Sequence, residues 1–252
     1  MFDEMLIQPP FFEIGPKTYL HGQACLALAK HADKIGREYD VRIIFTPQYV
    51  DIPLIAANTD FIYVAAQHMD YLRPGRGIGA VLPEALRDAG AVGVLLNHAE
   101  KPLTLGAIEE TIGRADEVGL FSLVCADTPA QALAIAQLRP NILLVEPPAL
   151  IGQTGGDVSE RDYVRSLNVA VRAVDPRIQV LHGAGIATGQ DVRDIVNLGA
   201  DATGCTSGIV CAKDPFAAME EMISNMRDAW DMRISAEKLE KTHPPHNDTE
   251  NL

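Results

Sequence analysis

Residues 120–148 read LFSLVCADTPAQALAIAQLRPNILLVEPP. A short apolar run, Leu120–Cys125, gives way to a helix start at Asp127 before Thr128-Pro129, then to an amphipathic stretch and a second apolar run, Ile142–Val145. Short, nearly continuous apolar runs are strands covered on both faces, and such strands belong to parallel sheets whose connections are helices. The segment therefore reads as one strand–helix–strand unit. A polar interruption, Glu146-Pro147-Pro148, closes it where the second strand ends.

The same unit recurs in both directions. Apolar runs predict strands at Phe11–Gly15, Val41–Thr46, Phe61–Ala66, Val92–Leu96, Leu120–Cys125, Ile142–Val145, Ile178–Leu181 and Ala202–Cys205. Further helix starts stand at Ser159 with Asp162 three residues on, at Thr188 with Asp191, and at Asp214 before Pro215, in the pattern of N-caps and first-turn prolines. Eight such units without a long interruption predict an α/β fold closed into one barrel, and about 250 residues is the usual length for it. An open doubly wound sheet is the alternative. It usually stops at about five to seven strands and carries GxGxxG after the first strand; here the glycines gather late, after Gln153 and Leu181. We assign residues 1–234 to the barrel and 235–252 to a polar C-terminal tail, ending around Thr242-His243-Pro244-Pro245-His246-Asn247-Asp248, frayed or lying on a partner subunit.

Composition narrows the function. With 47% hydrophobic and 22% charged residues, the chain can bury a substantial core. A formal net charge of -13 without any run of Lys and Arg argues against binding a nucleic-acid backbone. A small anionic metabolite remains open, because a local lysine and helix N-termini can hold one. Cys25, Cys125, Cys205 and Cys211 form no CxxC pair, which fits reduced thiols in the cytoplasm. The N-terminus lacks a basic region followed by a long apolar stretch, so no secretory signal is expected. No apolar run approaches the roughly 18 residues of a membrane span.

In a barrel of this kind chemistry gathers at the C-terminal ends of the strands. Lys17 follows the first strand, Gln67 and His68 the third, Asn97-His98-Ala99-Glu100 the fourth, Glu146 the sixth, Gly183-Ala184-Gly185 the seventh and Thr206-Ser207-Gly208 the eighth. A carboxylate, an imidazole and an ammonium group make a kit for moving a proton beside a carbonyl. The Gly-rich turns after strands seven and eight suit a phosphate held on backbone N–H groups. Each residue also has a plainer reading: His98 as a core histidine, Glu146 as a helix cap, Lys17 as a solvated residue, the glycines as turn formers. Convergence at strand ends favours function. Gln67 and His68 read as loop polarity and are left out of the catalytic set. His21, His31, His243 and His246 have no partners at ligand spacing, so no metal is expected; no cofactor is implied. Cys205 reads as packing.

These residues resemble the triosephosphate isomerase family, in particular its archaeal-type branch. The likeness runs from about Phe12 to Pro215 through Pro16-Lys17-Thr18-Tyr19, Ala66-Gln67-His68, Leu96-Asn97-His98-Ala99-Glu100, Val145-Glu146-Pro147-Pro148-Ala149-Leu150-Ile151-Gly152, His182-Gly183-Ala184-Gly185-Ile186 and Ser207-Gly208-Ile209. The resemblance implies a TIM barrel with Glu146 as catalytic base, His98 as neutral electrophile, Lys17 as electrostatic stabiliser and Glu100 in the same network. It implies a lid from Pro147 to Gly156, including Ile151 and Gly155, and a phosphate site at Gly152, Gly183, Gly185, Ser207 and Gly208. It also implies a small phosphorylated sugar as substrate, and a homodimer or a tetramer of dimers in which the third loop, Tyr71 to Ile78, enters the neighbouring subunit.

The departures from the family pattern cluster. Gly15 stands where the family has asparagine, Ile78 precedes Gly79 where it has threonine, Ala99 replaces a serine, and Gln153 interrupts the lid motif. Gly15 is expected to free space beside the substrate. Two substrates therefore stay open, the triose phosphate and a four-carbon sugar phosphate such as a tetrulose phosphate. A non-catalytic phosphometabolite-binding barrel is a third reading. An aldolase or lyase, the fourth, would usually place a Schiff-base lysine on a later strand.

Overall fold

The computed structural model describes residues 7–146, 158–183 and 185–242. Its strands are β1 (Phe11–Ile14), β2 (Arg42–Phe45), β3 (Tyr63–Ala66), β4 (Gly93–Leu96), β5 (Phe121–Ala126), β6 (Ile142–Val145), β7 (Gln179–His182) and β8 (Ala202–Gly204). Each of the eight predicted runs contains or overlaps one of them. All pair in parallel with their chain neighbours, and β8 returns to β1 to close a single (β/α)8 barrel.

Around it lie α1 (Gly22–Glu38), α2 (Ile52–Ala56), α3 (Pro83–Asp88), α4 (Leu105–Val118), α5 (Pro129–Ala136), α6 (Val158–Val174), α7 (Gly189–Asn197), a short α8 (Ser207–Val210) and α9 (Pro215–Thr242). Their starts follow local chemistry. At α7 the Thr188 side chain accepts from the Asp191 N–H while the Asp191 carboxylate accepts from the Thr188 N–H, as predicted. Asp214 accepts from Phe216 N–H and Ala217 N–H ahead of α9. Two starts differ by a residue or so. Thr128, not Asp127, caps α5, accepting from Gln131 N–H, because Pro129 takes the first helical position and puts the cap immediately before it. Ser159 lies inside α6, which already begins at Val158.

Strand residues alternate between barrel axis and helix layer. Glu13, Leu95 and Leu144 reach the mouth of the barrel, so their neighbours Phe12, Ile14, Leu96, Leu143 and Val145, all buried, face the helices. Deeper inside, the Phe121 ring lies over Gly93, where an added Cβ would overlap it. Helix α9 seals one flank with Met219, Met222, Ile223, Met226 and Ala229, spaced to share one stripe of a helix. Beyond that stripe α9 continues through position 234 to Thr242, with residues 235–239 exposed; the sequence division after 234 coincides with no break in the backbone.

Candidate active site

The loops after the strands enclose a cavity of ≈ 770 Å³ at the C-terminal mouth of the barrel. Lys17, His98, Glu100, Glu146, Gly183, Gly185, Ser207 and Gly208 all line it. The remaining predicted site residues, Pro147, Ile151, Gly152 and Gly155, lie outside the described residues.

Each of these lining side chains is held by its backbone. Lys17 adopts a left-handed conformation (φ 47°), uncommon for a residue with a Cβ. The side-chain amides of Gln48 and Gln67 donate to the Lys17 carbonyl at 2.9 and 3.3 Å, and Gln67 also donates to the Thr46 carbonyl at 2.9 Å. Asn97, also left-handed at φ 57°, donates to the Cys125 carbonyl at 2.9 Å and accepts from Leu103 N–H at 2.8 Å. It thereby ties the loop carrying His98 and Glu100 to β5. Glu146 follows β6, its N–H bonded to Ala126 O at 3.1 Å.

The side chains then meet across the cavity. His98 Nε2 stands 3.7 Å from Glu146 Oε2. His98 Nδ1 accepts from the Glu100 N–H at 3.1 Å; a backbone N–H can only donate, so the ring proton of the neutral imidazole sits on Nε2, pointing toward Glu146. Burial and the nearby Lys17 charge hold the His98 pKa below its ordinary value, which keeps the ring neutral near pH 7. Burial pushes the Glu146 carboxyl up, with Lys17 opposing and Asp127 and Glu100 adding to the rise. Lys17 Nζ donates to Glu100 Oε1 at 2.6 Å, a bond that lowers the Glu100 pKa.

Beyond β7, the strand next to β6, Gly185 is left-handed (φ 76°). A Cβ at Gly208 would stand 2.7 Å from Cys205 Sγ and 3.0 Å from Ala187 Cα, so only glycine lets the two loops touch. Cys205 donates its thiol to Ile186 O at 3.0 Å, and burial pushes its pKa to about 11. That is a packed thiol joining both loops.

One expectation is corrected. Gly15 frees no space: a Cβ there would lie 2.9 Å from Glu13 Oε1 and 3.0 Å from Thr46 Oγ1. The volume is already filled by a side chain from two residues earlier on the same strand. Glu13 and Thr46 were absent from the predicted site, yet both line the cavity. The signal was there in Glu13, a carboxylate inside the apolar run FFEIG. Gln67, set aside as loop polarity, is one of the clamps on Lys17.

A parallel barrel with a carboxylate, a neutral imidazole and an ammonium group gathered at one mouth belongs to the class of barrel enzymes equipped for proton transfer. Comparison with known proteins narrows the class. The sequence model of the family described as triosephosphate isomerase matches residues 16–224. Proteins named triosephosphate isomerase are similar along nearly their whole length: that of Methanothermus fervidus is 38% identical over 221 residues, covering 86% of this chain and 99% of its own. That of Methanobacterium bryantii is 38% identical over 223 residues (87% and 98%), and that of Methanosarcina barkeri 40% over 218 (85% and 97%). The chain belongs to the triosephosphate isomerase family, in its archaeal-type branch.

Proposed function

We propose that this chain interconverts glyceraldehyde 3-phosphate and dihydroxyacetone phosphate by proton transfer through an enediolate. The observation that carries this reading is the pairing of Glu146 with a neutral His98 whose proton sits on Nε2, 3.7 Å away across the cavity.

Glu146, its pKa raised by burial, takes the proton from the carbon beside the carbonyl and returns it to the former carbonyl carbon. His98 donates its Nε2 proton to the oxygen that gains charge and takes one back from the neighbouring hydroxyl, ending neutral as it began. Lys17, oriented by Glu100, balances the negative charge of the enediolate and the phosphate. Gly152, Gly183, Gly185, Ser207 and Gly208 form the phosphate site, with Gly185, Ser207 and Gly208 offering backbone N–H groups, and Pro147 to Gly156, with Ile151 and Gly155, close over it as a lid. No cofactor takes part. Residues 1–234 act as the isomerase domain, with 235–252 a polar appendage. The exposed tip of the third loop at Ile78 fits insertion into a second copy, giving a homodimer or a tetramer of dimers in the cytoplasm. No helix among the described residues is long and apolar enough to cross a membrane.

The filled volume beside Gly15 removes the specific reason for a four-carbon substrate. The test is a coupled assay of the purified protein on glyceraldehyde 3-phosphate and on tetrulose phosphates. The triose is expected to be turned over at least about tenfold better, the scale of discrimination over one extra carbon; the reverse preference overturns the reading.

A further inference from the structure

Glu13 sits in the middle of β1, whose other residues are Phe11, Phe12 and Ile14. In the barrel register it lies opposite Gly204 of β8, and its carboxyl turns toward the C-terminal mouth. Two glycines make its seat. A Cβ at Gly15 would stand 2.9 Å from its Oε1, and a Cβ at Gly204 would stand 2.9 Å from its own Cβ and 3.1 Å from its Oε2. From β2 the Thr46 hydroxyl donates to Oε1 at 2.8 Å. The charged groups facing it are Lys17 beyond β1 and Glu146 beyond β6. The other titratable neighbours are Cys125 of β5 and Cys205 beyond β8, both thiols pushed up by burial and neutral.

Burying a carboxyl is unfavourable unless it is well partnered, and Lys17 pairs with Glu100 instead. Burial accordingly pushes the Glu13 pKa up to about 7, the Thr46 bond and Lys17 pulling it down and Glu146 adding to the rise. An apolar side chain would fill the same space at less cost, so packing alone gives no reason for an acid here.

We propose that Glu13 is a positioning residue of this isomerase site: its carboxyl group takes the place of the side chain missing at position 15 and serves as a hydrogen-bonding floor beneath Lys17 and the bound anion. The inference rests on the isomerase reading above. Once ionised, Glu13 adds a negative charge beside Lys17 and Glu146, which opposes an anionic enediolate. The neutral form is the competent one, and it is lost as pH rises through the Glu13 pKa.

The test uses the whole protein, Glu13→Gln, Glu13→Leu and two readouts: kcat/KM on glyceraldehyde 3-phosphate, and affinity for 2-phosphoglycolate, whose planar carboxylate imitates the enediolate. Between about pH 6 and about pH 8.5 both quantities are expected to fall about tenfold more in the wild type than in Glu13→Gln, which keeps the shape but cannot ionise. Glu13→Leu is expected to lose about tenfold in kcat with little change in KM, while its thermal midpoint holds or rises, since it removes a buried acid. Glu13→Gln with the wild-type pH dependence, or Glu13→Leu with wild-type kcat, overturns the inference. Wild type that binds 2-phosphoglycolate without turning over the triose overturns the isomerase reading and leaves Glu13 to be judged on binding. Wild type that does neither overturns both.

Discussion

Glu146 emerges from an apolar strand into a cavity where burial raises its pKa and His98 offers it a proton-bearing nitrogen. Substitution Glu146→Gln keeps the volume and removes the proposed base; kcat is expected to fall by about 10²–10⁴-fold with KM changed only slightly, in a steady-state assay. The acid limb of the wild-type kcat/KM profile is expected to lie above the ordinary carboxylate range for the same reason. A second residue-scale prediction concerns stability. His182 is buried, bonded through Nε2 to Asn168 Oδ1 at 2.8 Å, and burial pushes its pKa down to about 4 from an ordinary 6.5, with Arg172 adding to the fall. The folded protein thus favours the neutral ring, a contribution fully present above about pH 6.5 and lost as pH falls toward about 4. The thermal midpoint should drop across that window, and less steeply in His182→Gln.

At the scale of elements, the loops that bear the site are anchored by the strands and helices they join. The reciprocal Thr188–Asp191 cap starts α7 directly after the glycine-rich turn beyond β7. Thr188→Ala is expected to cost about 1 kcal/mol, a fall of about 2–4 °C in the thermal midpoint of a protein this size, measurable by calorimetry. Inside the barrel the constraint is steric. Gly93 of β4 lies under the Phe121 ring of β5, so Gly93→Ala must push the ring or the strand aside. A loss of about 1–3 kcal/mol is expected from such overpacking, read as a lower denaturant midpoint.

For the whole molecule, closure of the sheet decides function, because it brings β1, β4 and β6 around one cavity and so sets an ammonium, an imidazole and a carboxylate together from positions far apart in sequence. Closure also leaves the third loop projecting, with Ile78 fully exposed at its tip and Tyr71 half-exposed. If that tip enters a second copy, Ile78→Asp is expected to place a charge in an apolar contact and shift the protein toward monomer at micromolar concentration, as read by light scattering.

Much of this was written locally. Buried parallel strands demand short apolar runs, so all eight were legible. Thr188 with Asp191 and Asp214 with Pro215 announced their helices, because a cap is satisfied within four residues. Lys17, His98 and Glu146 were legible because polar residues at the ends of such strands have one mouth to face. What the sequence could not disclose depended on contacts made across the barrel. The clamps of Gln48 and Gln67 on the Lys17 carbonyl join β2 and β3 loops to β1. The seat of Glu13 needs β8 to return beside β1, so that Gly204 lies opposite it and the glycine at 15 becomes a filled place. The stripe by which α9 seals the barrel, Met219, Met222, Met226 and their neighbours, finds its partners only once the barrel has closed.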